Sequence, residues 1–204
     1  MNKSQLTNFI TKYTLGGEIK STKWTSNGDS LSTRFISGDK SVVGSVVLSK
    51  FNHLSPCELG VYNTGQLSSL LSVLGDDVEV SLSQSGDKFI SMEFEDTNRK
   101  TKSKYMLSDL SVIPTPPALK NLPDTFELGI KVDPYFVNTF ISGKGALSEA
   151  ETFTILTEGG ETKIVIGYAS IASNRVTIPV ETTKQTDIEP ISFNANMFAS
   201  ILNA

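Results

Sequence analysis

The sequence predicts an α+β fold of two similar halves, each built from paired strand–helix–strand units with helices on one face and sheets on the other. Three observations predict it. The stretch ELGVYNTGQLSSLLSVL at Glu58–Leu74 is echoed by ELGIKVDPYFVNTFI at Glu127–Ile141, and both run as strand, turn and amphipathic helix. Apolar spacing switches repeatedly between the period of a strand and that of a helix. A segment with four of the chain's eight prolines, VIPTPPALKNLPD at Val112–Asp124, separates the halves and reads as an extended linker. The expected boundaries are a first domain at 1–110, a linker at 111–125 and a second domain at 126–204.

Each element has its own signal. Leu6, Phe9, Ile10 and Tyr13 form the buried stripe of a first helix, ended by Gly16-Gly17. EIKSTKWTS, SLSTRFIS and VVGSVVLSKF are strands joined at Asn27-Gly28-Asp29 and Gly38-Asp39-Lys40, where the residues tolerate positive φ. ELGVY is a strand. Thr64 is placed to cap the next helix, with Leu67, Leu70, Leu71 and Leu74 inward and Gly75 as its C-cap. DVEVSLSQ alternates, KFISMEFED follows a turn at Ser85-Gly86-Asp87, and KSKYMLSDL is a further strand.

The second half repeats this plan. FELGIKV is a strand, and Asp133 caps a helix with Pro134 in its first turn. Phe136, Val137, Phe140 and Ile141 face inward. ETFTILTEGGETKIVIGYA is a hairpin, and NRVTIPVETT is a strand that Pro179 assigns to a sheet edge. EPISFNA is a strand, and Met197, Phe198, Ile201 and Leu202 line a last helix. No strands follow it before Ala204, so the second domain reads as incomplete at its C-terminus.

With 204 residues, a net charge of −4 and ordinary apolar content, the chain reads as a soluble globular protein, not one coated in nucleic acid. The lone Cys57 permits no intramolecular disulfide, and no signal peptide or membrane span stands out, so the expected compartment is the cytoplasm. Catalytic constellations are missing. His53 and Cys57 could be drawn as base and nucleophile, but nothing nearby stabilises an oxyanion. No phosphate loop and no zinc set occur. Glu93 with Glu95, or Asp76-Asp77, could hold a cation, but such carboxylates are commonly solvated. The expectation is a protein that is not an enzyme and needs no metal or cofactor.

The informative anomaly is in the helices. Their bodies carry no Asp or Glu, where roughly four are expected from average composition. Exposed positions hold Gln5, Thr7, Asn8, Lys12, Gln66, Ser68, Ser69, Ser72, Asn138, Thr139, Ser142 and Ser200. Either this is chance, or other protein covers these faces, or all four line a surface that must not repel a polyanion.

At these residues the chain resembles the DNA polymerase sliding clamps, most closely those of T-even-type bacteriophages, which are similar to proliferating-cell nuclear antigen. The resemblance is carried by ELGVYNTGQLSSLLSVLGDDVEVSLSQSGD, the proline linker and ISFNANMF. It implies the DNA clamp fold, a homotrimeric ring around duplex DNA without sequence specificity, and a polymerase and a clamp loader ATPase as partners. It makes Lys3, Lys12 and Lys144 lumen cations. It gives the run TNRKTKSK, with Arg99, Lys100 and Lys102, a DNA-facing role, although that run reads equally as a solvated hairpin loop. A partner-peptide pocket falls on Leu110, Val112, Ile113 and Leu119, which equally serve to pin the linker. A head-to-tail subunit interface joins Lys104, Tyr105, Met106 and Leu107 to Val176, Ile178 and Val180, with Pro179 leaving a gap in the ladder. Two other readings stay open: a β-rich phage structural or assembly protein with internal duplication, and a monomeric peptide-binding module.

Overall fold

The computed structural model describes residues 1–118, 124–169 and 173–204. The chain forms two compact units, Met1–Leu119 and Lys120–Asn203.

In the first unit, α1 (Lys3–Thr14) is followed by the meander β1 (Thr22–Ser26), β2 (Ser30–Ile36) and β3 (Val43–Ser49). Then come β4 (Cys57–Val61), α2 (Thr64–Ser72) and a second meander, β5 (Val78–Ser85), β6 (Lys88–Asp96) and β7 (Lys102–Met106). The sheets are ordered β3-β2-β1-β4 and β5-β6-β7. The short opening segment of each repeat joins the other repeat's sheet. β4 pairs antiparallel with β1, while the Met1 ammonium donates to the Val78 carbonyl at 2.6 Å and the Val78 N–H donates back to Met1 at 3.0 Å.

Both helices cover the same side of these sheets. Strand alternation sends Trp24, Leu31, Met92, Phe94 and Tyr105 to that side, where they are buried with Leu6, Phe9, Tyr13, Leu67 and Leu71. Phe9, Tyr13 and Trp24 meet edge to face, at centroid separations of 5.5–6.3 Å, a geometry that suits their quadrupoles. A polar chain crosses this core. Trp24 Nε1 donates to Tyr13 Oη at 3.3 Å, Tyr13 donates to Thr64 Oγ1 at 3.2 Å, and Thr64 donates to the Lys20 carbonyl at 3.1 Å. Burial pushes the Tyr13 phenol well above its ordinary pKa.

Two caps differ from expectation. The α2 N-cap is Asn63, whose side chain accepts from the Gln66 N–H at 3.0 Å; Thr64 is instead drawn into the core by Tyr13. Gly75 is not the C-cap, which is Val73. Gly75 donates its N–H to Asp96 at 2.7 Å, and a Cβ there would lie 2.5 Å from that carboxylate.

The second unit contains β8 (Gly129–Ile130), α3 (Pro134–Ala146), β9 (Thr152–Glu158), β10 (Glu161–Ile166), β11 (Val176–Pro179), β12 (Thr182–Lys184), β13 (Ile191–Asn194) and α4 (Ala195–Leu202). β8–α3–β9–β10–β11 has the element order of β4–α2–β5–β6–β7, which is the physical content of the sequence echo. The sheets are β11-β10-β9-β13 and β12-β8. The strand expected at FELGIKV shrinks to Gly129–Ile130, because only that part meets β12. Phe136, Phe140, Phe153, Ile164, Ile166 and Ile178 form the core, with Phe198 of α4 packed against Phe136, Phe140 and Phe153.

Candidate nucleic-acid interface

The helix surfaces follow from sequence and packing together. α1, α2, α3 and α4 read KSQLTNFITKYT, TGQLSSLLS, PYFVNTFISGKGA and ANMFASIL, without a carboxylate. First helical turns favour Asp and Glu, so this absence runs against the usual electrostatic preference. Gln5, Thr7, Asn8, Thr11 and Lys12 are exposed on α1, Gln66, Ser69 and Ser72 on α2, and Asn138 and Ser142 on α3. Within each unit the two helices lie against one another. Ser200, by contrast, is half-buried.

The expected cations distribute unevenly. Lys12 is exposed on α1. Lys3 is half-buried and donates its Nζ to the Leu74 carbonyl, just past α2, where unpaired carbonyls attract a cation. Lys144 is buried, 9% exposed, and donates to the Ser148 carbonyl at 2.7 Å beyond the end of α3. Both lysines therefore serve at helix ends, and Lys12 is the exposed one of the three.

The lysines of the basic run lie close to neighbouring carboxylates. Alternation along β7 places Ser103 and Tyr105 toward the helices and Lys102 and Lys104 on the opposite face. There Lys102 pairs with Glu95 at 3.0 Å and Lys104 with Glu93 at 2.9 Å, across the β6–β7 ladder. Lys100 lies 3.9 Å from Glu95, and Arg99 is exposed at the hairpin tip. Lys104 holds the Glu93 carboxyl below its ordinary pKa, with help from Ser83.

A cation missed by the sequence reading is Lys20. It lines a groove of about 570 Å³ between the end of α1 and the start of α2, with Tyr62, Asn63 and Ser68. It precedes β1 and lies outside every helix, so helical periodicity gave no signal for it.

The expected peptide-pocket residues do not share one environment. Ile113 is 3% exposed and packs beside Gly60, so it pins the start of the linker to the sheet and offers nothing to a partner. The Arg34 guanidinium donates to the Pro117 carbonyl and fixes the next part of the linker. Val112 is exposed, and Leu110 is half-buried beside β4. Leu119 lies outside the described residues.

The expected interface segments both fall on sheet edges, β7 in one unit and β11 in the other. Their side chains are less available than their backbones. Tyr105 is buried and its Oη accepts from the Asn63 N–H at 2.9 Å; Ile178 is 2% exposed in the second core. Met106 is exposed, while Leu107, Val176 and Val180 are half-buried. Leu107 donates its N–H to Ile90, so Lys104 and Met106, which alternate with it, direct backbone groups to the open side. Val180 donates to Thr162, so the missing N–H of Pro179 faces the open side of β11 and costs the sheet no internal bond.

Among the described residues, no group of three or more His, Cys, Asp or Glu could hold a metal ion. No helix among them is long and apolar enough to cross a membrane.

No family model matches the chain, and no curated protein sequence matches it. Among solved structures, it is similar to the PCNA from Thermococcus kodakaraensis, at 11% identity and a TM-score of 0.69, over 100% of this chain and 82% of that one. At that identity the likeness shows the fold: this mixed arrangement of four helices and several sheets is PCNA-like.

Proposed function

We propose that the protein is a DNA sliding clamp, a processivity factor that tethers a replicative polymerase by encircling duplex DNA. The observation that carries this reading is a set of helices free of carboxylates within a PCNA-like fold whose overall net charge is −4. Neutral amides and hydroxyls let a polyanion pass without repulsion and without a fixed register, since phosphate contacts carry no sequence information. Few free cations means weak grip, and a ring holds DNA by topology instead of contacts.

The ring is a homotrimer closed head to tail, β7 of one copy beside β11 of the next. Heterologous contacts of this kind close only when the rotation per copy is right. Polymerase and clamp loader are the protein partners, the cytoplasm is the working compartment, and a phage of the T-even type is the source. The protein performs no chemistry of its own.

Retention on DNA tests this reading. After loading, the protein co-elutes with circular plasmid in gel filtration and is released when the plasmid is cut. Equal retention on circular and linear DNA rejects encirclement. A large open polymer in light scattering favours the β-rich assembly protein instead.

A further inference from the structure

β4 ends its sheet and is bonded along one edge only, to β1. Its other edge meets one partner, the Ser108 N–H, which donates to the Gly60 carbonyl at 2.9 Å. In an antiparallel strand, alternate residues turn both backbone groups to the same side. Gly60 therefore points its groups to this edge, and so does Glu58, two residues earlier. Among the described residues no backbone group meets Glu58 there.

The edge stays open because β7 leaves β6 early. Leu107 donates to the Ile90 carbonyl at 2.9 Å, and the chain then crosses to Gly60. Between β4 and the start of β6 this leaves a groove of about 430 Å³, lined by the apolar Ile90, Leu107 and Leu110 and rimmed by Glu58 and Asp87. The nearby Lys88 is held by Asp109 at 2.5 Å, whereas Glu58 and Asp87 have no ion pair among the described residues. The groove thus combines an open strand edge, an apolar lining and an uncompensated negative rim.

We infer that this groove docks an extended segment of a partner protein that alternates apolar and basic residues and adds as a strand to β4. Its main chain bonds to the N–H and C=O of Glu58 in line with Ser108, its apolar side chains enter over Leu107 and Leu110, and its cations meet Glu58 and Asp87. The groove lies apart from β11 and the helix surfaces; it takes in Leu107, just past β7, and Leu110, and its strand edge and charged rim do not depend on the clamp reading.

The probe is a fluorescein-labelled peptide of alternating lysine and leucine, read by anisotropy and by amide exchange. Saturable one-to-one binding with slower exchange at the Glu58 amide is expected. The double variant Glu58→Lys, Asp87→Lys changes two exposed side chains and weakens binding at least about tenfold. A peptide of the same sequence, N-methylated on alternate amides, keeps the charge but cannot pair, and weakens to the same degree. Equal binding by the methylated peptide, unchanged affinity of the double variant, or no binding of the parent peptide overturns the inference.

Discussion

Gly60 shows how much one residue can hold in place. A Cβ there would lie 2.3 Å from the Ser108 carbonyl oxygen, which belongs to backbone and cannot swing aside. Gly60→Ala forces β4 and the segment after β7 apart, so a loss of about 1–3 kcal/mol is expected from the urea midpoint. Asp96 plays a related part at the other end of the second meander. It is 1% exposed and accepts the backbone N–H groups of Arg99, Gly75 and Asn98 at 2.7–2.9 Å, which lower its pKa. Asp109 is lowered further, by Lys88 and then Ser111. A carboxyl whose folded pKa is depressed stabilises the fold fully above its unfolded value, about 3.9, and loses that contribution as pH falls through the folded value. The urea midpoint should therefore hold steady near neutrality and drop below about pH 4, and Asp96→Asn should flatten that drop. In the sequence these two carboxylates read only as end residues of the strand segments KFISMEFED and KSKYMLSDL. Their partners are backbone groups and a lysine brought up by the hairpins.

Helix α2 illustrates what local pattern does and does not reveal. Of its apolar stripe, Leu67, Leu71 and Leu74 are buried and Leu70 is half-buried. Its cap was misplaced by one residue, because Asn63 and Thr64 are both good cap formers and only the core hydrogen bond from Tyr13 decides between them. Asn63→Ala removes the bond to Gln66 and should cost about 1 kcal/mol, read by thermal or urea melting. Asn194 makes the same bond to the Met197 N–H at 2.8 Å in α4, so Asn194→Ala should act alike. The exposed stripes carry a different prediction. Gln5→Glu, Asn8→Glu and Lys12→Glu on α1 alter side chains that leave the core untouched, so the melting temperature should change little. If α1 faces DNA, this triple variant should lose retention on circular plasmid; unchanged retention would place α1 elsewhere.

The proposed ring concerns the edges of sheets. β7 and β11 each end a sheet, and Lys104 offers its N–H to the open side without contributing it to β6. Lys104→Pro removes that donor and the Glu93 ion pair, both outside the core. The variant should remain folded by circular dichroism yet fall from trimer to monomer in light scattering. A variant that stays trimeric would exclude this edge as the subunit contact. The basic run bears on the same question. Arg99, Lys100 and Lys102 read in the sequence equally as a DNA contact and as a solvated hairpin loop; Lys102 shares a face with Lys104, Glu93 and Glu95, opposite the helices. Charge along a strand is legible, whereas its neutralisation from the adjoining strand is not.

By itself the sequence determined the elements: helices from apolar spacing, hairpins from Asn-Gly and Gly-Asp pairs, the edge position of β11 from Pro179, and the lack of carboxylates on the helices. These are properties of short range, where three or four neighbours set the free energy. Only the tertiary structure decided that β4 joins β1, that Met1 joins β5, and that Lys3 and Lys144 cap carbonyls instead of facing solvent. Those outcomes depend on groups far apart along the chain, and the energy that favours them exists only once the strands and helices have packed.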